Sequence, residues 1–273
     1  MTAAASIKQR DFMAWLCWGL AVLLVAAFAN SFPLWLWLSD RLGAGARFMP
    51  FALAGLLLAG MLFARMLFAS HGRQRDIRWL AAGLLAALLG LVLADPDFPA
   101  KRVHVAEYAL LALVLRRAVR PWFTGGDLVF AVALLGFLAG LHDEAIQGLL
   151  PSRSYGLRDI LVDGLGAIAG ACIAQGLGYH SSAAEPARWR AMPKPLLAPL
   201  AGAVLLALAL PGFEGNPIPP WSAAPLLAGC AVCLMLPLPA QAAWRGFMIA
   251  LLLILAPLAL YPVLSHVPPL VFR

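Results

Sequence analysis

Charge is what this chain has least of. Only 12% of its 273 residues are Asp, Glu, Lys or Arg, while 63% are hydrophobic. A soluble domain carries roughly twice that charged fraction, so a water-soluble globule is excluded. Cysteine is scarce too. Cys17, Cys172, Cys230 and Cys233 all lie in apolar runs and give no disulfide framework. Cys230 and Cys233 have a CxxC spacing without polar or histidine neighbours, and they read as small apolar residues packed on a helix. Acidic residues number 13 against 20 basic ones, a net charge of +7. In so apolar a chain that excess points to cytoplasmic loops and anionic lipid, not to nucleic acid. Alternating apolar segments are missing, which excludes a β-barrel. Ser152 and Ser154 lack a G-x-S-x-G context. His104, His142 and nearby carboxylates are potential metal donors, but no HExxH or comparable spacing exists. No metal and no cofactor is expected.

What is present is a series of long apolar runs, several near or above the ~18 residues that span a bilayer core. The first runs from Met13 to Leu38, with Trp15 and Trp18 at one end and Trp35 and Trp37 at the other, as interfacial belts do. Ala27-Phe28-Ala29 resembles a signal-peptidase site, but the run continues past it, and a retained span is the favoured reading. The others are Phe48–Ala69, Trp79–Ala94, Val103–Leu115, Leu128–Leu150, Ile160–Tyr179, Leu196–Pro211, Ala223–Leu236 and Phe247–Leu264. The expected fold is an all-α, polytopic helical membrane protein with about nine transmembrane helices. Three regions follow: a two-helix part over 1–77, a four-helix core over 78–179, and a linker with three helices over 180–273. The linker itself is 180–195. Arg65 is expected to snorkel to the nearest interface. With the N-terminus inside, twelve Lys and Arg fall on cytoplasmic segments and seven outside. That favours a cytoplasmic N-terminus and an external C-terminus in a bacterial inner membrane.

Residues 140–170 hold four of the 13 carboxylates, together with His142, Gln147, Arg153 and Arg158. Ionisable groups among apolar helices are costly and mark a site. On the fourth run His104, Glu107 and Tyr108 share a face, with Lys101 one turn before. On the fifth, Gly136, Gly140 and Glu144 step by four and Gln147 continues the stripe, beside Asp143. On the sixth, Asp159, Asp163, Gly166 and Gly170 share a face. Small residues let helices approach closely, so these stripes are expected to face inward, at the outer helix ends, and can converge. Arg153 and Arg158 are the nearest cations for Asp143 and Glu144. Asp159 is placed to favour a helix N-terminus, a position a phosphate could equally take. Asp127 is expected to cap the fifth helix.

These residues resemble a known family. Lys101-x-x-His104-x-x-Glu107-Tyr108, Asp143-Glu144-x-x-Gln147, Pro151-x-Arg153 and Asp159-x-x-x-Asp163-x-x-Gly166-x-x-x-Gly170 look like the VanZ-like family of bacterial multi-pass membrane proteins. The likeness covers roughly 78–178. It implies a four-helix membrane core in the cell envelope and, through the founding members, a link to teicoplanin resistance. The family usually has Asn where this chain has Asp163, so this chain carries an extra carboxylate.

The expected function is binding or modification of an anionic, phosphorylated lipid-linked substrate at the outer face. Lys101, Arg153 and Arg158 would hold the anion, with Tyr108 and Gln147 beside them. His104 and Glu144 would exchange protons, with Glu107, Asp143, Asp159 and Asp163 completing the catalytic group. Two other readings stay open. One is a non-catalytic scaffold whose polar network sets helix packing and recruits envelope-assembly proteins. The other is a transporter, which would want polar groups near mid-membrane.

Overall fold

The computed structural model describes residues 3–68, 76–151, 153–179, 194–237, 242–268, 270 and 272–273. Side chains are described from Phe12 in the first helix, up to Phe63 in the third and from Trp244 in the tenth. The 180–195 linker and the basic loop after the second run lie almost wholly outside the described residues, as do the side chains of Lys8, Arg10 and Arg65.

The described residues form helices and turns, with no strand among them. In order the helices are α1 (Ala3–Ala29), α2 (Phe32–Leu42), α3 (Met49–Phe68), α4 (Ile77–Leu93) and α5 (Val103–Val119). Then come α6 (Gly125–Leu149), α7 (Leu157–Gly176), α8 (Leu197–Ala209), α9 (Ala224–Met235), α10 (Ala242–Leu255) and the short α11 (Tyr261–Leu264). Among the described residues five segments are long and apolar enough to cross a membrane: Phe12–Ala29, Phe32–Phe63, Gly125–Leu149, Lys194–Phe213 and Trp244–Leu264. Ile77–Leu93 and Pro220–Met235 are apolar but shorter.

The first expected run is two helices, not one. α1 stops at Ala29, where the Asn30 side chain donates to the Ala26 carbonyl at 2.8 Å. Pro33, at the start of α2, has no N–H to give to Ala29, so the α1 hydrogen-bond ladder cannot continue through it. Asp127 is the third residue of α6, which opens at Gly125 with φ +56°, so it lies in the first turn, where the positive end of the helix dipole favours a carboxylate.

The chain divides into two compact units. One holds residues 1–140 and 158–189, the other 141–157 and 190–273. α6 is therefore shared, its last turns belonging to the second unit.

In the first unit α5 is well enclosed. Val105, Tyr108, Leu111, Ala112, Leu115 and Val119 are buried, and α1, α3 and α4 pack on it. α7 joins it through Gly166 and Gly170. A Cβ on Gly166 would meet the Val105 carbonyl at 2.9 Å, and one on Gly170 would meet the Ala109 Cα at 2.7 Å. Backbones that close admit no side chain between them. Gly136 and Gly140 do the same for α6, against Ala167 and Asp163 of α7. Away from these seams the surface is apolar: Trp15, Val22, Leu56, Leu85 and Val92 are exposed, as bilayer-facing helices require.

One cation is buried at the far end of this unit. Arg116 donates from Nε to the Tyr179 carbonyl at 2.9 Å and from Nη2 to Gln175 Oε1 at 2.6 Å. Both acceptors lie at the C-terminal end of α7, where the helix dipole is negative. Arg116 thus serves as a cap on a helix end.

In the second unit α8 and α9 pack closely, through Gly202 on Leu226 and Gly229 on Pro199. The described cysteines are free thiols, with Cys230 and Cys233 both on α9.

The glycine seams set a clear expectation. Gly170→Val should cost about 3 kcal/mol or prevent folding, whereas Gly55→Ala, with open space beside it, should change stability by less than about 0.5 kcal/mol. Thermal unfolding in detergent reads both, and equal effects would contradict the close approach.

Candidate functional site

The polar stripes of α5 and α7 meet in the first unit. His104 stands in the first turn of α5, and Asp163 two turns into α7. His104 Nδ1 lies 2.9 Å from Asp163 Oδ1, with the two side chains 7% and 0% exposed. A carboxylate only accepts, so Nδ1 donates, and Nε2 is the ring nitrogen that faces away from Asp163. Gly140 allows this arrangement, because a Cβ there would strike Asp163 at 2.7 Å. Tyr108 lies one turn below His104, its ring parallel within 8° at a centroid distance of 6.3 Å. Phe28 of α1 also packs on Tyr108, its ring centroid 5.8 Å away. The imidazole is therefore fixed by a hydrogen bond, a stacked ring and a closed helix seam. Glu107, on the same face, is half-buried.

Lys101 precedes α5, in a 3₁₀ turn over Pro99–Arg102. Its Nζ is 2.5 Å from Asp159 Oδ2, with Lys101 29% exposed and Asp159 only 5%. Asp159 is the third residue of α7, where the positive end of the helix dipole favours a carboxylate. Lys101 also sits over the Phe98 ring at 5.9 Å. Lys101 is thus the part-exposed member of a pair whose acid is buried.

Arg158 does something other than the sequence led us to expect. Its guanidinium donates to the carbonyls of Leu93 and Ala94, the latter at 3.4 Å. Those carbonyls end α4 and have no helical N–H to receive, so Arg158 caps α4.

The second unit holds the rest of the α6 stripe. Gln147 donates to Asp143 Oδ1 at 3.0 Å. Its amide oxygen accepts from Arg153, at 3.1 Å from Nε and again from Nη2. Gln147 therefore bridges an acid and a guanidinium. Glu144 Oε2 accepts the Gly156 N–H at 2.8 Å, which ties the loop after α6 back to the helix. Asp143 and Glu144 are both fully buried. Burial pushes the Tyr155 phenol above its ordinary range, and the Glu144 charge adds to the shift.

His142 lies in the same stretch. Its Nδ1 is 2.8 Å from the Tyr261 hydroxyl and its Nε2 2.7 Å from the Ile254 carbonyl. Both ring nitrogens are engaged by the C-terminal helices.

Several residues that shape these surroundings carry no sequence signal of their own. Phe28, Phe98, Gly156, Tyr155 and Phe272 are ordinary apolar or loop positions until the chain is folded. Gly148 was visible only as one more glycine. Comparison with family models, curated proteins and solved structures finds no match to this chain.

The Lys101–Asp159 pair is testable by itself. Lys101→Met strands a buried carboxylate and should cost about 2 kcal/mol in thermal unfolding. Adding Asp159→Asn should recover most of that loss. No loss in the single variant would show that the pair is incidental.

Proposed function

We propose that this chain is a VanZ-like integral membrane protein of the bacterial cell envelope. It binds or modifies an anionic, lipid-linked substrate at the outer face of the inner membrane. Nine spans, a four-helix core over 78–179 and an internal N-terminus belong to this reading. The observation that carries it is the pair of acid–base contacts on α5 and α7. In a chain this apolar, the fully buried Asp163 holds His104 in one orientation, and a part-exposed Lys101 stands one turn away on Asp159. Buried ionisable groups in membrane helices are retained where they have work to do.

In this reading Lys101 meets the anionic headgroup, and Asp159 presents it. His104 exchanges a proton at Nε2 while Asp163 keeps Nδ1 protonated and fixes the ring. In the second unit Arg153, held by Gln147, is a separate candidate for an anion. Arg158 is removed from the anion site because it caps α4.

The scaffold reading also draws on specific observations. Arg116 and Arg158 both spend their charge on helix ends, and Gln147 joins Asp143 to Arg153. These are devices that fix helix packing. On that reading the network presents a surface to envelope-assembly proteins.

Native mass spectrometry of the protein released from mild detergent separates the two. We expect a phosphorylated lipid adduct on the wild type, lost in Lys101→Ala and in Arg153→Ala and kept in Glu144→Gln. An identical lipid profile in all four proteins would overturn the substrate reading and leave the scaffold.

A further inference from the structure

The chain after α7 carries none of the polar stripes. Yet three separate parts of it take hold of the end of α6 and the loop that follows. We infer that this C-terminal region is a positioning frame: it sets where Glu144, Gln147 and Arg153 stand, with Tyr155 and Phe272 as its positioning residues.

The first hold is on His142. Its Nε2–H donates to the Ile254 carbonyl at 2.7 Å, and Tyr261 donates to Nδ1 at 2.8 Å. Ile254 lies in the last turn of α10, where the α-helix gives way to a 3₁₀ turn over Ala256–Leu260. That change of helix type, with Pro257 inside it, disturbs the regular ladder and leaves carbonyls for an outside donor. His142 takes one of them.

The second hold is on Tyr155. Its hydroxyl donates to the Ala207 carbonyl at 2.8 Å. The regular helical donor for that carbonyl would be the residue four places on, which is Pro211. Proline has no N–H, so the Tyr155 phenol supplies the missing hydrogen bond.

The third hold is made by residues 272 and 273. The Arg273 N–H donates to the Gly148 carbonyl at 2.7 Å, one of the last carbonyls of α6. The Arg273 carbonyl accepts from the Tyr155 N–H at 2.7 Å, and the Phe272 carbonyl accepts from the Gly215 N–H at 2.8 Å. The Phe272 ring is 1% exposed, packs 5.4 Å from the Tyr155 ring, and occupies the space a side chain at Gly148 would need. Gly148 is therefore the residue that admits Phe272.

These three holds bracket the functional stretch. Glu144 and Gln147 lie between His142 and Gly148. Arg153 lies between Gly148 and Tyr155, and Gly156, whose N–H meets Glu144, follows directly. The frame is independent of what the loop binds, so it stands or falls separately from the substrate reading.

Hydrogen–deuterium exchange of the full chain in mild detergent tests it, comparing wild type with Phe272→Ala, Phe272→Leu, Gly148→Ala and Tyr155→Phe. Phe272→Ala and Gly148→Ala should speed exchange over 150–157 about tenfold while α4 and α5 keep their protection. Phe272→Leu, which still fills the space, should restore most of it. Tyr155→Phe removes one hydrogen bond and should speed the same amides roughly fivefold. It carries the test should Phe272→Ala not fold. Reaction of Arg153 with an arginine-specific reagent should rise in step, with Arg158 unchanged. Unaltered exchange over 150–157 overturns the inference. So does equal acceleration in every helix, because the variants would then have lowered global stability alone.

Discussion

A charge taken out of water must find a partner or cost several kcal/mol, and this chain meets that constraint repeatedly. The contact that answers it most completely is His104–Asp163. Asp163 has no exposed surface and His104 almost none. The pair can exist only because α5, α6 and α7 approach closely enough to exclude water. That closeness comes from Gly140, Gly166 and Gly170, none of which could carry even a methyl group without moving backbone or the acid itself. Seam and pair therefore depend on each other. The glycines enclose the acid, and the hydrogen bond gives the enclosed acid its partner.

The other charged groups follow the same rule by different means. Lys101 answers Asp159 at the start of α7, where the helix dipole assists. Arg116 and Arg158 use the carbonyls at the ends of α7 and α4. Gln147 passes hydrogen bonding from Asp143 to Arg153. An Asn at position 163 could offer His104 only a neutral carbonyl. The Asp163 of this chain makes the contact a charge-assisted one. Its orientation of the imidazole is correspondingly stronger.

Much of this was legible in the sequence. The apolar runs locate α3 to α9 within a few residues, because hydrophobic length is the dominant signal in such a chain, while the last run, expected as one span, is α10, a 3₁₀ turn and α11. The pairing of two glycines with two acids on α7 was readable from steps of three and four. The interruption at Asn30–Ser31 was written in Pro33 but hidden by the unbroken apolar composition around it. The partners of Arg158 and His142 were not legible. They lie 64 and 65 residues away for Arg158, and 112 and 119 for His142. They are carbonyls and a tyrosine, so no charge pattern points to them. Orphan carbonyls are set by where helices end, and helix ends are what periodicity locates least well.

The central claim is that His104 and Asp163 act as one unit. A double-mutant cycle measures it directly, with His104→Ala, Asp163→Ala and the pair unfolded by denaturing detergent in mixed micelles. The account predicts a coupling energy of about 2 kcal/mol, because either single change strands the partner in an apolar seam. Effects that add within about 0.5 kcal/mol would mean the two side chains are neighbours without being partners.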